Sequence, residues 1–201
     1  MKNKKRCDWC LDNPLYIRYH DQEWGDPIHD DKKLFEFLVL ESFQAGLSWL
    51  TVLKKRENFR KAFSDFDAKK VANFDKKKFL SLMQDAGIIR NRLKIEAAIN
   101  NARCFLSIQK EFGSFDKYIW SFVKGKTIVN SLNSLKNYKV KTKISDKMSQ
   151  ELGERGFKFR GSTICYAFMQ AIGMVDDHLN YCYKKSFPSD PKRIGMNIKR
   201  V

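Results

Sequence analysis

The chain has 201 residues, 43% of them hydrophobic, so it can bury a sizeable core and disorder is not its default state. Thirty-nine basic against 23 acidic residues leave a formal charge of +16, which suggests a polyanionic partner: most simply nucleic acid, with an acidic membrane surface as the lesser alternative. The longest uncharged run, Gly161 to Val175, falls short of the roughly 20 apolar residues that a membrane span needs. No apolar core follows the basic start MKNKKRCDW, so it does not read as a secretory signal, and five cysteines is an odd number. The expectation is a reduced, intracellular protein with thiols free for metal.

Residues 1–30 are dense in unusual side chains: Cys7, Trp9, Cys10, Tyr16, Tyr19, His20, Trp24 and His29. Asn13-Pro14 and Asp26-Pro27 mark turns, with a short helical segment between them. Such an aromatic cluster reads either as satellite core or as a binding cage. Asp30-Asp31 can cap a central helix. The stretch Leu34 to Leu53 is the longest strongly apolar run, and Leu34, Leu38, Glu41 and Ala45 share one helical face within it. Burying Glu41 unpaired would be costly, so it either finds a basic partner or works as a functional acid in a pocket. Gly46 ends this helix, leaving a Gly46-Leu47 tip and a second helix from Trp49 through Lys55.

Further amphipathic segments follow at about 54–64, 67–73, 76–85 and 91–111, with Asp67 and Asp75 as caps, and Phe115 to Val123 reads as another short helix. Thr127 to Lys143 is polar and Lys-rich, and reads as a loop with room for some strand. Ser145 can cap a helix from Asp146 to Glu154, ended by Gly156. A tight turn containing Lys158 and Arg160 then leads through Gly161 into a helix starting at Ser162-Thr163. Its free N–H groups and dipole suit a phosphate oxygen, although a plain helical hairpin fits the same pattern. The whole reads as all-α: one helical domain over 1–188 and a basic, poorly ordered tail over 189–201.

His178-x3-Cys182 spaces two metal ligands one helical turn apart. With His20 and an N-terminal sulfur, either Cys7 or Cys10, it could form a Cys2His2 zinc site. Four protein ligands would leave no open position, so the ion would be structural. It would offset the roughly 4–5 kcal/mol of entropy lost in closing the loop from His20 to His178.

Leu15-Tyr-Ile-Arg-Tyr-His-Asp-Gln-Glu-Trp-Gly25 strongly resembles the signature of the bacterial 3-methyladenine DNA glycosylase I family. So do Leu40-Glu41 with Gln44-Ala-Gly-Leu-Ser-Trp49, Asp85-Ala-Gly-Ile-Ile-Arg90, and Gly156-Phe-Lys-Phe159. The resemblance runs in order from about Cys7 to Cys182. It implies an all-α helix-hairpin-helix glycosylase fold, with the hairpin at about 146–175, and a structural zinc on Cys7, His20, His178 and Cys182. It also implies monofunctional excision of 3-methyladenine from alkylated double-stranded DNA, in base excision repair, by a monomer in the bacterial cytoplasm. In that reading Glu41 is the catalytic acid, and Trp9, Tyr16, Tyr19 and Trp49 line the base pocket. Gly46-Leu47 enters the duplex, while Lys158, Arg160, Gly161, Ser162 and Thr163 hold phosphate. Asp176, next to Asp177, is the alternative acid. Selectivity would come from aromatic faces and an ionised carboxylate that favour a cationic base. The competing readings are a non-enzymatic DNA-binding protein with structural zinc and a zinc hydrolase.

Overall fold

A computed structural model describes residues 4–185, so the segment 189–201 read as a tail lies outside the described residues. Helices dominate it, as the sequence leads one to expect, and most begin at a side-chain cap. α1 (Pro14–Gln22) starts with Pro14 behind Asn13, whose side chain accepts from the Leu15 N–H. α2 (Asp31–Gln44) starts at Asp30, which accepts from Lys33 N–H. Ser48 caps α3 (Trp49–Ala62) by accepting from Thr51 N–H. The two segments expected around Lys55 are therefore one continuous helix. No Gly or Pro interrupts it, and the run Lys54-Lys55-Arg56-Glu57 continues it, with Arg56 turned inward and Lys54 and Glu57 exposed.

Asp67 and Asp75 cap α4 (Ala68–Ala72) and α5 (Lys76–Gln84). α6 (Arg92–Phe112) ends at Gly113, whose φ of 84° allows the left-handed turn that closes it. α7 (Phe115–Ser121) follows from Ser114. α8 (Lys143–Glu154) starts earlier than expected, because Thr142 and not Ser145 is its cap. Ser145 sits at the third helical position, and the two residues exchange side-chain and backbone hydrogen bonds in a capping box. α9 (Ser162–Ala171) follows a turn through Gly156, φ 87°, and Phe159, φ 49°. Two short parallel strands, β1 (Ile128–Val129) and β2 (Val175–Asp176), pair Ile128 with Val175 and Val129 with Asp176. After β2 the chain turns without forming a helix, so His178 and Cys182 do not sit on a helical face as their spacing suggests.

α2 is the centre of the core and packs against α3, α6, α7 and α9. All residues from Leu34 to Phe43 are buried, including two acids. Phe35 meets Phe105 of α6 at 5.1 Å between ring centroids, and Phe43 meets Phe59 of α3 at 4.7 Å. The two acids part company. Glu36 accepts from Arg56 Nε at 2.7 Å and pairs with Arg60 at 2.8 Å, so its burial is compensated. Glu41 has no such partner.

Candidate active site

Glu41 Oε2 is buried and makes no hydrogen bond. Burial alone pushes this carboxyl from its ordinary 4.5 up to about 8. An acid buried this way without a partner needs a reason, and a cavity of about 280 Å³ beside it supplies one. Its walls come from the N-terminal aromatic cluster (Trp9, Tyr16, Tyr19, Trp24), from the end of α2 and start of α3 (Glu41, Gln44, Trp49), from Tyr138, and from α9 (Ala167, Gln170). The base-pocket residues expected from sequence (Trp9, Tyr16, Tyr19 and Trp49) therefore do converge on Glu41. Trp24, Gln44, Tyr138, Ala167 and Gln170 join them. Gln170 carried the same signal as Glu41, a polar side chain in an apolar helix. Tyr138, in the Lys-rich loop, carried none.

The walls are braced from behind. Trp9 lies edge-on to Tyr16 at 5.6 Å and to Trp24 at 5.0 Å, and Tyr19 meets Trp49 at 5.4 Å. The Tyr16 hydroxyl accepts from Leu50 N–H at 3.0 Å, tying α1 to the first turn of α3. Gln170 donates to Asp177 Oδ2 at 2.7 Å, and Asp177 also accepts from Tyr166 and Asn130, each at 2.7 Å. Asp177 thus orients a wall residue without lining the cavity. Asp176 is equally buried, and its Oδ1 faces His178 and not the cavity, so its geometry gives no support to it as the alternative acid.

A larger hollow of about 480 Å³ lies between α6 and the α8–α9 turn, lined by Leu93, Glu96, Ala97, Asn100, Lys158 and Phe159. It offers no buried titratable group, in contrast to the aromatic cavity with Glu41.

Gly46 and Leu47 sit beside that cavity in the α2–α3 turn. Gly46 has φ of 75° with open space around it, and Leu47 is 41% exposed, an outward apolar tip. At the start of α9, Gly161 provides no side-chain cap, which leaves the first N–H groups of the helix free of one. Lys158 and Thr163 are exposed there. The Ser162 hydroxyl meets Ser145 Oγ at 2.9 Å, and the Arg160 guanidinium folds over Gly153, where an added Cβ would lie 2.3 Å from its Cζ. Both side chains are thus engaged in joining the turn to α8.

Cys7, His20 and Cys182 are buried, and their ligand atoms all lie within 4.8 Å of one another. His178 stands outside that group, but its ring centroid is 5.1 Å from that of His20. Its Nδ1 is held by Asp176 Oδ1 at 2.9 Å, and its buried Nε2 has no hydrogen-bond partner. His20 is oriented likewise, with Nδ1 on Asp21 at 2.9 Å and Nε2 3.3 Å from Cys182 Sγ. A carboxylate behind each imidazole is the arrangement that presents the other nitrogen to a metal. Cys10 donates to the Cys7 carbonyl at 3.1 Å and is not part of the group formed by Cys7, His20 and Cys182. The Cys7–Cys182 contact, followed by burial, pushes the Cys7 thiol up, and the same contact, reinforced by His20, holds Cys182 down. Two buried sulfurs and the His20 imidazole within 4.8 Å of one another, with the orphaned His178 nitrogen nearby, fit a tetrahedral ion of the zinc type.

The sequence profile described as methyladenine glycosylase matches residues 9–185. A DNA-3-methyladenine glycosylase of Haemophilus influenzae is 50% identical over 177 residues, 88% of this chain and 96% of that protein. DNA-3-methyladenine glycosylase 1 of Escherichia coli is 51% identical over 178 residues, 89% of this chain and 95% of its own length. Among solved structures, a tyrosine-to-phenylalanine variant of 3-methyladenine DNA glycosylase I in complex with 3-methyladenine superposes with a TM-score of 0.88 at 38% identity. That superposition covers 90% of this chain and 98% of the other.

Proposed function

The chain belongs to the methyladenine glycosylase family, and on that premise we propose that it hydrolyses the N-glycosidic bond of 3-methyladenine in alkylated double-stranded DNA. The observation that carries this reading is Glu41: a buried, unpaired carboxyl in the wall of an aromatic cavity large enough for a purine. Methylation at N3 makes the base a cation and a good leaving group. The C1′–N9 bond breaks with its electron pair going to the base, which departs neutral. Water adds its oxygen to C1′ and gives up a proton, leaving an abasic site.

The protein then has to flip and hold the base. Leu47 would fill the gap left in the stack, and the free N–H groups of α9 with Lys158 would hold the backbone without reading sequence. Trp9, Tyr16, Tyr19 and Trp49 present ring faces and edges that favour a cationic base. Glu41 refines the expectation of an ionised carboxylate: held up to about 8 in the free cavity, it ionises when a cation arrives. A neutral, undamaged adenine gives no such return for the flipping energy. We read the reaction as monofunctional; among the described residues the lining of this cavity includes no Lys for a Schiff base.

Zinc bound by Cys7, His20, His178 and Cys182 would be structural, its four protein ligands leaving no position for water. It would fasten the start of the chain to the segment after β2. We read α8, the turn and α9 as the helix-hairpin-helix element, and the protein as a monomer acting in the bacterial cytoplasm. The test is chromatographic resolution of free bases released from methylated genomic DNA. Selective release of 3-methyladenine supports the reading, and no release by the folded, zinc-loaded protein overturns it.

A further inference from the structure

α2 ends abruptly, and its ending creates a local problem. Gly46 turns the chain away, so Leu47 N–H reaches back only to Gln44 O, at 2.7 Å, and the Phe43 carbonyl is left without the i+4 partner it would have in a continuing helix. The Ala45 carbonyl lies just beyond the helix end. Lys94, from the first turn of α6, answers both: its Nζ donates to Phe43 O at 2.9 Å and to Ala45 O at 2.6 Å. The residue is only 7% exposed, and burial draws its amine below the ordinary lysine value. A lysine desolvated in this way, with no carboxylate among its hydrogen-bond partners, is an expensive means of capping a helix. A cation at a helix C-terminus is favourable, but surface residues commonly provide it. Among the described residues no other side chain hydrogen-bonds the carbonyls of 43–47.

The turn pinned by Lys94 is the one that carries the site. Gln44 and Trp49 line the cavity on either side of it, and Leu47 is its exposed tip. Resting on the reading of this protein as a base-flipping glycosylase, we propose that Lys94 is a positioning residue. It locks the α2–α3 turn to α6, so that Leu47 meets the duplex as a fixed wedge. It touches neither the base nor the DNA and acts through the turn. The cavity itself has its own braces in the aromatic cluster and α9, so loss of Lys94 separates insertion into the duplex from binding of the base.

The experiment compares wild type with Lys94→Met, of similar length but unable to donate, and Lys94→Arg, which can. Three quantities are read: single-turnover release of 3-methyladenine from a methylated duplex, the same from a methylated single strand, and affinity for free 3-methyladenine by tryptophan fluorescence. For Lys94→Met, duplex release falls about tenfold or more, the effect of losing buried hydrogen bonds to a charged group. Free-base affinity and single-strand release stay within about twofold, and Lys94→Arg recovers most of the duplex rate. In a cycle with Leu47→Ala the two losses are less than additive. Duplex release within twofold of wild type, or a parallel loss of free-base affinity, overturns the proposal. If Lys94→Met does not fold, Lys94→Gln, neutral and one atom shorter though still a donor, carries the comparison with a smaller expected loss of duplex release. Absence of base release by wild type would instead refute the glycosylase reading itself.

Discussion

Replacing Glu41 by Gln should stabilise this protein while disabling it. In the unfolded chain the carboxyl ionises at its ordinary 4.5, whereas in the folded cavity burial holds it up to about 8. Between those values the folded state binds the proton more tightly, so folding takes up a proton and stability falls as pH rises, by about 1.4 kcal/mol per pH unit. At pH 7 the interval from 4.5 is two and a half units, so Glu41 costs about 3 kcal/mol, at pH 8 about 4 kcal/mol, and well above pH 8 about 5 kcal/mol. Gln is nearly isosteric and has no such term. Its advantage over wild type should vanish near pH 4.5, grow to about 3 kcal/mol at pH 7 and level off above pH 8. In thermal terms that is roughly 6–12 °C at pH 7 for a chain of this size. Urea unfolding of both proteins from pH 5 to 9 at fixed zinc reads it directly, because contributions from every other group cancel in the difference. A difference flat with pH, or a variant less stable at pH 8, would refute the reasoning that an unpaired buried carboxyl stands at the centre of this core.

Other consequences follow from the same geometry. An Ala at Gly25 would place its Cβ 2.6 Å from His178 Cε1, at a φ of 77° that side chains rarely adopt. Native mass spectrometry should find Gly25→Ala with less than one zinc per chain, and full occupancy would contradict the assignment of His178 as a ligand. Chelation of zinc should lower the melting temperature, yet base release should persist below that temperature if the ion is structural. Loss of turnover without loss of fold would point to a metal with an open position. Lys158→Ala should weaken binding to undamaged DNA of any sequence and reduce the slope of log affinity against log salt by about one. An unchanged slope would remove Lys158 from the phosphate contacts.

The fold was legible wherever one residue decides a boundary. Asp30, Asp67 and Asp75 are caps by their short acceptors, and Gly46 stops a helix by its φ. It was less legible where two residues compete for one task. Ser145 resembles a cap, but Thr142 three residues earlier can exchange bonds with it and takes the role. The polar run after Leu53 resembles a boundary but continues α3, with Arg56 turned inward and Lys54 and Glu57 exposed. Neighbours distant in sequence were harder still. Glu36 and Glu41 look alike in the sequence, and only the arrival of Arg56 and Arg60 on the former makes the latter the exception. Arg160 looks free until Gly153 gives it a place to lie. Tyr138 enters the cavity wall by long-range packing that no local pattern announces. The Cys and His residues were countable from the start. Only the structure shows that Cys7 joins His20 and Cys182, while Cys10 turns toward the Cys7 carbonyl.

The most direct test of the account is the pattern of bases freed from methylated DNA by the zinc-loaded protein and by Glu41→Gln. Wild type should release 3-methyladenine and leave unmodified adenine in place, and Glu41→Gln should bind DNA as well but release little. Equal release by the two proteins would take Glu41 out of the mechanism, and no release by either would leave a DNA-binding protein without the activity proposed here.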